Sequence, residues 1–441
     1  MSNRKGDTVM STKLLLGTSR TIITPIVGGN LYGYSPDVYS TCVNDDLTAT
    51  AFAFSQGDTS AILITLTIGS INTQLANETI GRISEVTGID KGNIIICATH
   101  THSAPNLTGT VGWGEIDRKY YDDIFLPNVL KAAKEASENK VPVRMGYSQG
   151  ESTVGINRRE LKADNTIGLG QNPWGPVDKR MTVISFENED GERIANLIHY
   201  GCHGTASGKN TEITRDWSGV MTDVIERDFG GLTAFINGPE GDVGPRMPNG
   251  RTVGIQMVQY AMELGGYAAR DAKTIADNLK VYRDADLSVY SGEVKIPLAP
   301  RMHLEIAKAE YEKVKEDNVN HLGLYAEHCR ATIESYEKGE TDKEYRSYGQ
   351  TIIRIGDIAI VSFPFEQFCE IGMRIDTYCK EIPYVLSLSN SNGSEGYFAT
   401  ESERVRGGYE IKMCDIKHIQ PYAENADFAL ICETLENLKK V

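Results

Sequence analysis

The chain lacks the features that would assign it to most specialised classes. No stretch approaches the roughly 20 apolar residues that span a bilayer, and the opening residues hold only the short Leu14-Leu15-Leu16 run, too little for an export signal. Basic residues are outnumbered, with 45 Lys and Arg against 60 Asp and Glu and a formal charge of −15. Phosphate binding depends on clustered cations, so a nucleic-acid partner is not expected. The eight cysteines include no Cys-x-x-Cys pair, which reads as reduced, mostly buried thiols in a cytoplasmic protein. Ser103 and Ser218 lie outside any Gly-x-Ser-x-Gly elbow, so that route to a serine nucleophile is not indicated. No internal repeat, low-complexity tract or Pro/Ser-rich linker appears.

What is present is an ordinary globular composition over 441 residues, enough to bury a substantial core. After a polar leader at 1–13, residues 14–441 read as one domain. Strands are expected at 49–54 and 60–68 around the Gln56-Gly57-Asp58 turn, and at 93–98, 181–186, 193–199, 233–237, 350–355, 357–363 and 384–389. Helical spacing covers 80–87, 121–136, 255–279 and 366–380. A charged stretch at 302–338 predicts two helices broken near Asp317-Asn318 or Gly323. The fold class that follows is α/β: a mixed β-sheet core with surrounding helices and a charged helical hairpin.

Several of these strands run into polar clusters, and functional groups gather where strands leave an α/β sheet. His100 and His102 follow one strand. In an extended chain their imidazoles share a face, so that one can bind a metal while the other faces the same cavity, or the two can form a structural pair. A second strand leads through His199 to His203-Gly204. The glycine-flanked His203 is the better ligand candidate, and His199 the better core residue. Glu366 follows Pro364 at a strand-to-helix turn, as a metal ligand or as a first-turn carboxylate complementing the helix dipole. Two histidines and one carboxylate make a catalytic zinc set with a position left for water. Asp242, in Gly238-Pro239-Glu240-Gly241-Asp242, is expected to orient a ligand histidine from behind or to cap its own turn.

Taken together, these segments resemble the amino-terminal domain of the neutral/alkaline ceramidases. The resemblance is carried in order by His100-Thr101-His102-Ser103-Ala104-Pro105, Asn157-Arg158, His203-Gly204-Thr205, Gly241-Asp242-Val243-Gly244-Pro245, Arg354-Ile355-Gly356, Pro364-Phe365-Glu366, Gly396 to Glu401, and Tyr409-Glu410. It implies one zinc per chain held by His100, His203, Glu366 and Tyr397, with His102 and Arg158 lining the site and Tyr409 an oxyanion or substrate donor. It implies a hydrolase in which activated water attacks an amide or ester. His102 would act as general acid or base, and Arg158 would anchor an anionic or carbonyl-bearing substrate or serve as a structural ion pair. Two positions depart from the family pattern: Gly244 stands where the family has serine, and Phe365 brings a bulky ring beside Glu366. The family's carboxyl-terminal domain is not expected after Tyr409. The expected substrate is a small polar molecule rather than a sphingolipid. The alternatives are a genuine ceramidase and a non-catalytic metal-binding protein with a site blocked by Phe365.

Overall fold

Runs such as Ile94-Ile95-Ile96 need cover on both faces of a sheet, and strand Ile94–Ala98 is buried at every position. The computed structural model describes residues 13–34 and 36–441, so residues 1–12 of the expected leader lie outside the described residues. Ile94–Ala98 lies parallel to Thr59–Leu66. That strand forms an antiparallel hairpin with Thr48–Gln56 around Gly57-Asp58, and Thr48–Gln56 pairs in turn with Leu15–Ile22. Parallel neighbours cannot be joined by a tight turn, and helix Thr73–Thr87 makes the crossover. The helix expected at 80–87 thus begins earlier, where the Asn72 side chain accepts from the Leu75 N–H at 2.8 Å.

The same four-strand unit recurs twice more with the same strand order. In the second, Arg144–Glu151, Arg180–Glu187 and Arg193–Tyr200 are antiparallel neighbours, and helix Asp216–Phe229 crosses to the parallel strand Leu232–Asn237. In the third, Leu287–Pro297, Tyr345–Ile355 and Ile358–Ser362 are followed by helix Cys369–Tyr378 and the parallel strand Tyr384–Leu388. The topology therefore repeats although the sequence does not.

The α/β class with a mixed β core and surrounding helices is as expected, and the core is built from three such sheets rather than one. Phe52, Phe54, Ile95, Leu197, Ile353 and Leu388 come from all three sheets and meet in a shared interior. The outer faces are covered by helices. Thr73–Thr87 and Leu126–Glu138 cover the first, Asp216–Phe229 and Val258–Asp277 the second, and Cys369–Tyr378 and Ala426–Leu438 the third. Side chains alternate across a strand, so Phe52 and Phe54 point inward while Ala49, Ala51 and Ala53 lie under the helices. Small residues there admit a close helix: a Cβ on Gly17 would meet the Ala136 carbonyl at 1.9 Å. The charged stretch forms helices Leu304–Val314 and Asn320–Glu337, with the break near Asp317-Asn318 and Gly323 inside the second helix. Among the described residues no helix is long and apolar enough to cross a membrane.

In each unit the two parallel strands end on the same side, and their following loops are stitched together. Thr101 bridges Gly204, the Asn237 amide donates to the Thr99 carbonyl at 3.1 Å, and the Ser389 N–H donates to the Asn237 carbonyl at 3.1 Å. One helix starts later than expected: Glu366-Gln367 is a short strand parallel to Tyr397-Phe398, with Glu366 opposite Tyr397 in register. Glu366 is therefore not a first-turn carboxylate. The strand also turns Phe365 away from it, into a cluster with Tyr348 and Phe398, each at a ring separation of 4.8 Å. Phe365 is core, fully buried. Phe365→Ala is expected to cost about 3–5 kcal/mol of stability in chemical denaturation, and a loss below about 1 kcal/mol would contradict this packing.

Candidate metal centre

The side chains that can bind metal arrive from different units. His100 lies just past the first unit's last strand, His203 past Arg193–Tyr200 in the second, and Glu366 past Ile358–Ser362 in the third. His100 Nδ1 is 2.7 Å from the Gly69 carbonyl, and His203 Nδ1 is 2.8 Å from the Glu240 carbonyl and 3.1 Å from that of Val243. A carbonyl only accepts, so in its neutral form each histidine carries its proton on Nδ1 and turns its Nε2 lone pair to the site. Those two atoms lie 3.4 and 3.2 Å from Glu366 Oε2. His102 Nε2 is 3.4 Å from His100 Nε2.

Among the described residues, His203 Nε2 and Glu366 Oε2 are buried without a hydrogen-bond partner. A lone pair facing a carboxylate at this distance is repulsive unless a proton or cation lies between them. Burial, reinforced by the Arg158 charge, pushes His203 down to about 3. At His100 burial is outweighed by the Glu366 and Glu240 carboxylates, which raise the pKa, so a proton on His100 or a bound cation is what the carboxylate requires. Burial alone would lift Glu366, yet His100 and His203 hold its carboxyl well below the usual range. The donor set thus fits a bound cation, with ligand atoms of His100, His102 and His203, and of His100, Glu240 and Glu366, each within 4.8 Å of one another.

His100 reaches this position through a left-handed backbone, φ 65°, a conformation uncommon outside glycine and concentrated at functional sites. The extended chain expected for His100 to His102 is therefore interrupted, although both rings still meet, 4.9 Å apart. His102 is half-buried against the edges of Tyr32 and Tyr34, and desolvation, with the two neighbouring histidines, holds it well below its ordinary pKa. Among the described residues its Nδ1 has no partner, and its Nε2 faces that of His100. Tyr397 and Tyr409 line the same cavity as His100, His102 and Glu366. Burial pushes Tyr409 up to about 12, which keeps its O–H as a donor.

Arg158 does not reach that cavity. Its Nε donates to Glu410 Oε1 at 2.9 Å and its Nη2 to the Tyr397 hydroxyl oxygen at 2.9 Å. It is committed to an ion pair and to holding Tyr397, rather than facing a substrate. Asp242 also differs from expectation. Its carboxylate accepts from the Cys369 N–H at 2.8 Å and the Asn157 amide at 3.2 Å, and the backbone carbonyls of Glu240 and Val243 orient His203 instead. His199 is the core residue expected, 2.9 Å from the Ser387 carbonyl through Nε2. At Gly244, an added Cβ would lie 2.6 Å from Thr252 Cβ, so the Thr252 side chain fills the space a serine would need.

Two residues of the site went unread in the sequence. Glu240 is fully buried, and burial pushes its carboxyl up to about 8. Asn390, left-handed at φ 46°, donates to Glu240 Oε1 at 2.7 Å and accepts from the Ser70 hydroxyl at 3.0 Å. Both sit in polar clusters just past strands, the signal that marked His203 and Asp242.

Residues 14–256 match the amino-terminal model of the neutral/alkaline non-lysosomal ceramidases. Neutral ceramidase A of Dictyostelium discoideum is 29% identical over 172 residues, 35% of this chain and 24% of that protein. Neutral ceramidase of Pseudomonas aeruginosa is 24% identical over 213 residues, 41% of this chain and 30% of that protein. These matches span about a quarter to a third of the relatives' length. The crystal structure of the Pseudomonas aeruginosa neutral ceramidase superposes with a TM-score of 0.74 at 18% identity, covering 97% of this chain and 74% of that one. With more than half its length matched by the family, this chain belongs to the neutral/alkaline non-lysosomal ceramidases.

Proposed function

We propose that the protein is a zinc-dependent hydrolase that uses water to cleave the amide bond of a small, polar N-acyl compound. The observation that carries this reading is the pair of buried, unpartnered atoms, His203 Nε2 and Glu366 Oε2, beside His100 Nε2 at the wall of a cavity. His100, His203 and Glu366 would hold the metal, with Tyr397 as a further ligand kept in place by Arg158. Zinc in such a site supplies Lewis acidity, bringing the pKa of a water to about 7 and polarising a carbonyl.

The protein's own groups do the rest. His102, held neutral by its surroundings, can take a proton from the attacking water and return it to the leaving amine. The Tyr409 O–H can stabilise charge developing on the carbonyl oxygen. Because the nucleophile is water, Gly244 in place of serine does not interrupt the scheme.

The small size of the substrate is inferred from the cavity, about 70 Å³, against the roughly 300–1,000 Å³ typical of sites for drug-sized ligands. Its wall mixes Thr108, Thr110, Ser394 and Lys417 with Trp113, Leu324 and Met413. Phe365 is absent from this lining, which speaks against the non-catalytic reading of a blocked site. Family membership favours a second reading, cleavage of ceramide itself.

Purified protein is expected to carry about one zinc per chain by elemental analysis, and His100→Ala and His203→Ala to lose it. Full occupancy in both variants would overturn the ligand assignment. A panel of amides, esters and N-acyl sugars with a ceramide control is expected to show turnover of short polar amides. Turnover of ceramide alone would favour the second reading. Gly244→Ser is expected to cost about 1–3 kcal/mol of stability through overpacking, relieved when Thr252→Ala is added, as measured by denaturation. An equal loss in both backgrounds would show that Thr252 does not fill that space.

A further inference from the structure

The cations around this site are distributed unevenly. Arg158 is spent on Glu410 and Tyr397, and Arg159 on Glu403 and Glu410. Lys417 is the one lysine or arginine among the described residues that line the cavity, beside Glu366, Tyr397 and Tyr409. It is half-buried, yet among the described residues its ammonium makes no hydrogen bond or ion pair.

The position of its stem is set by the backbone. An added Cβ at Gly396 would lie 3.5 Å from Lys417 Cγ and 3.6 Å from Cδ, so the methylenes pack on a glycine held at φ 82°. The Gly396 carbonyl accepts from the Glu366 N–H at 2.9 Å, and Tyr397 follows directly. The lysine is thus laid along the same backbone that carries the candidate ligands. Glu395, whose charge also acts on Lys417, accepts from the Thr73 hydroxyl and lies 3.4 Å from His418 Nε2. Burial pushes the Lys417 pKa down, with Glu395 and Glu366 acting against it.

An ammonium partly withdrawn from water without a partner is costly, and an anionic group is what relieves that cost. We propose that Lys417 determines specificity at this site, selecting substrates that carry an anionic group, a carboxylate or phosphate, in addition to the scissile amide. The proposal rests on the amide-hydrolase reading and narrows it to N-acylated acids or phosphates. It reassigns to Lys417 the anchoring role that Arg158 is too committed to perform.

The test uses the zinc-loaded full chain and matched probes. N-acetylglycine, N-acetyl-β-alanine and N-acetylethanolamine phosphate are compared with N-acetylglycinamide, N-acetyl-β-alaninamide and N-acetylethanolamine. Calorimetry is expected to show at least one anionic member bound about tenfold or more tighter than its neutral counterpart, the scale of one charge-assisted hydrogen bond. Lys417→Met and Lys417→Gln should remove that preference, and the kcat/KM ratio of the pair should fall with it. In wild type, which needs no variant to fold, the anionic probe should slow reductive methylation of Lys417 as read by mass spectrometry, and the neutral probe should not. Equal binding of every pair, including no binding of either member, overturns the proposal, as does a preference that survives both substitutions. The two readings fail separately. Charge-selective binding without hydrolysis refutes the hydrolase and keeps the lysine; hydrolysis without charge preference does the reverse.

Discussion

Two imidazole nitrogens within 3.4 Å of one carboxylate oxygen form an electrostatic problem before they form a site. In a dry interior their lone pairs repel and lose their water, so the arrangement persists only if a positive charge sits among them and the rest of the fold forbids relaxation. The Nδ1 contacts to the Gly69, Glu240 and Val243 carbonyls lock both rings. The strand pairing of Glu366 with Tyr397 holds the carboxylate's backbone. Each constraint is a backbone contact, the least adjustable kind.

The threefold recurrence of one unit explains how such a cluster is assembled from residues far apart in the chain. A strand that leaves a sheet covered on both faces has its direction fixed by the core beneath it. Three units around a shared interior bring several such strand ends together, and each contributes one or two polar residues to the gathering point. The left-handed His100 and Asn390 sit where the chain must turn sharply to join it. That local strain is tolerated because bridges such as Thr101 to Gly204 over-determine the loops.

Charge is arranged around the centre with the same economy of contact. Arg158 and Arg159 share Glu410 in a buried network, and Arg158 fixes Tyr397 from behind. Among the described residues that line the cavity, Lys417 alone keeps its charge without an ion pair. At Gly244 the Thr252 side chain occupies the room of a serine, so this departure from the family pattern is packed into the structure rather than left as a gap. Membership of the family and a cavity of modest size are compatible, because the candidate ligand loops hang from the sheets while other segments also line the cavity, among them helix Asn320–Glu337 through Leu324.

Much of this was legible in the residues. Buried apolar runs ending in polar clusters identified Ile94–Ala98, Arg193–Tyr200 and Leu232–Asn237, and pointed to His100, His203 and Asp242 near their ends, because burial and strand direction are local consequences of composition. The same rule applied to Tyr384–Leu388 leads to Asn390, and applied to the whole Gly238 to Asp242 turn it reaches Glu240 as well as Asp242. Orientation was not legible. Whether Arg158 faces a ligand or Glu410, whether Asp242 reaches a histidine or Cys369, and whether Phe365 shadows Glu366 or enters the core depend on partners brought in by the rest of the fold. The sequence by itself determined which residue types stand at the strand ends. Only the tertiary structure decided which of their atoms meet, because side-chain direction there is set by neighbouring sheets and by carbonyls from other units, and no local pattern encodes those.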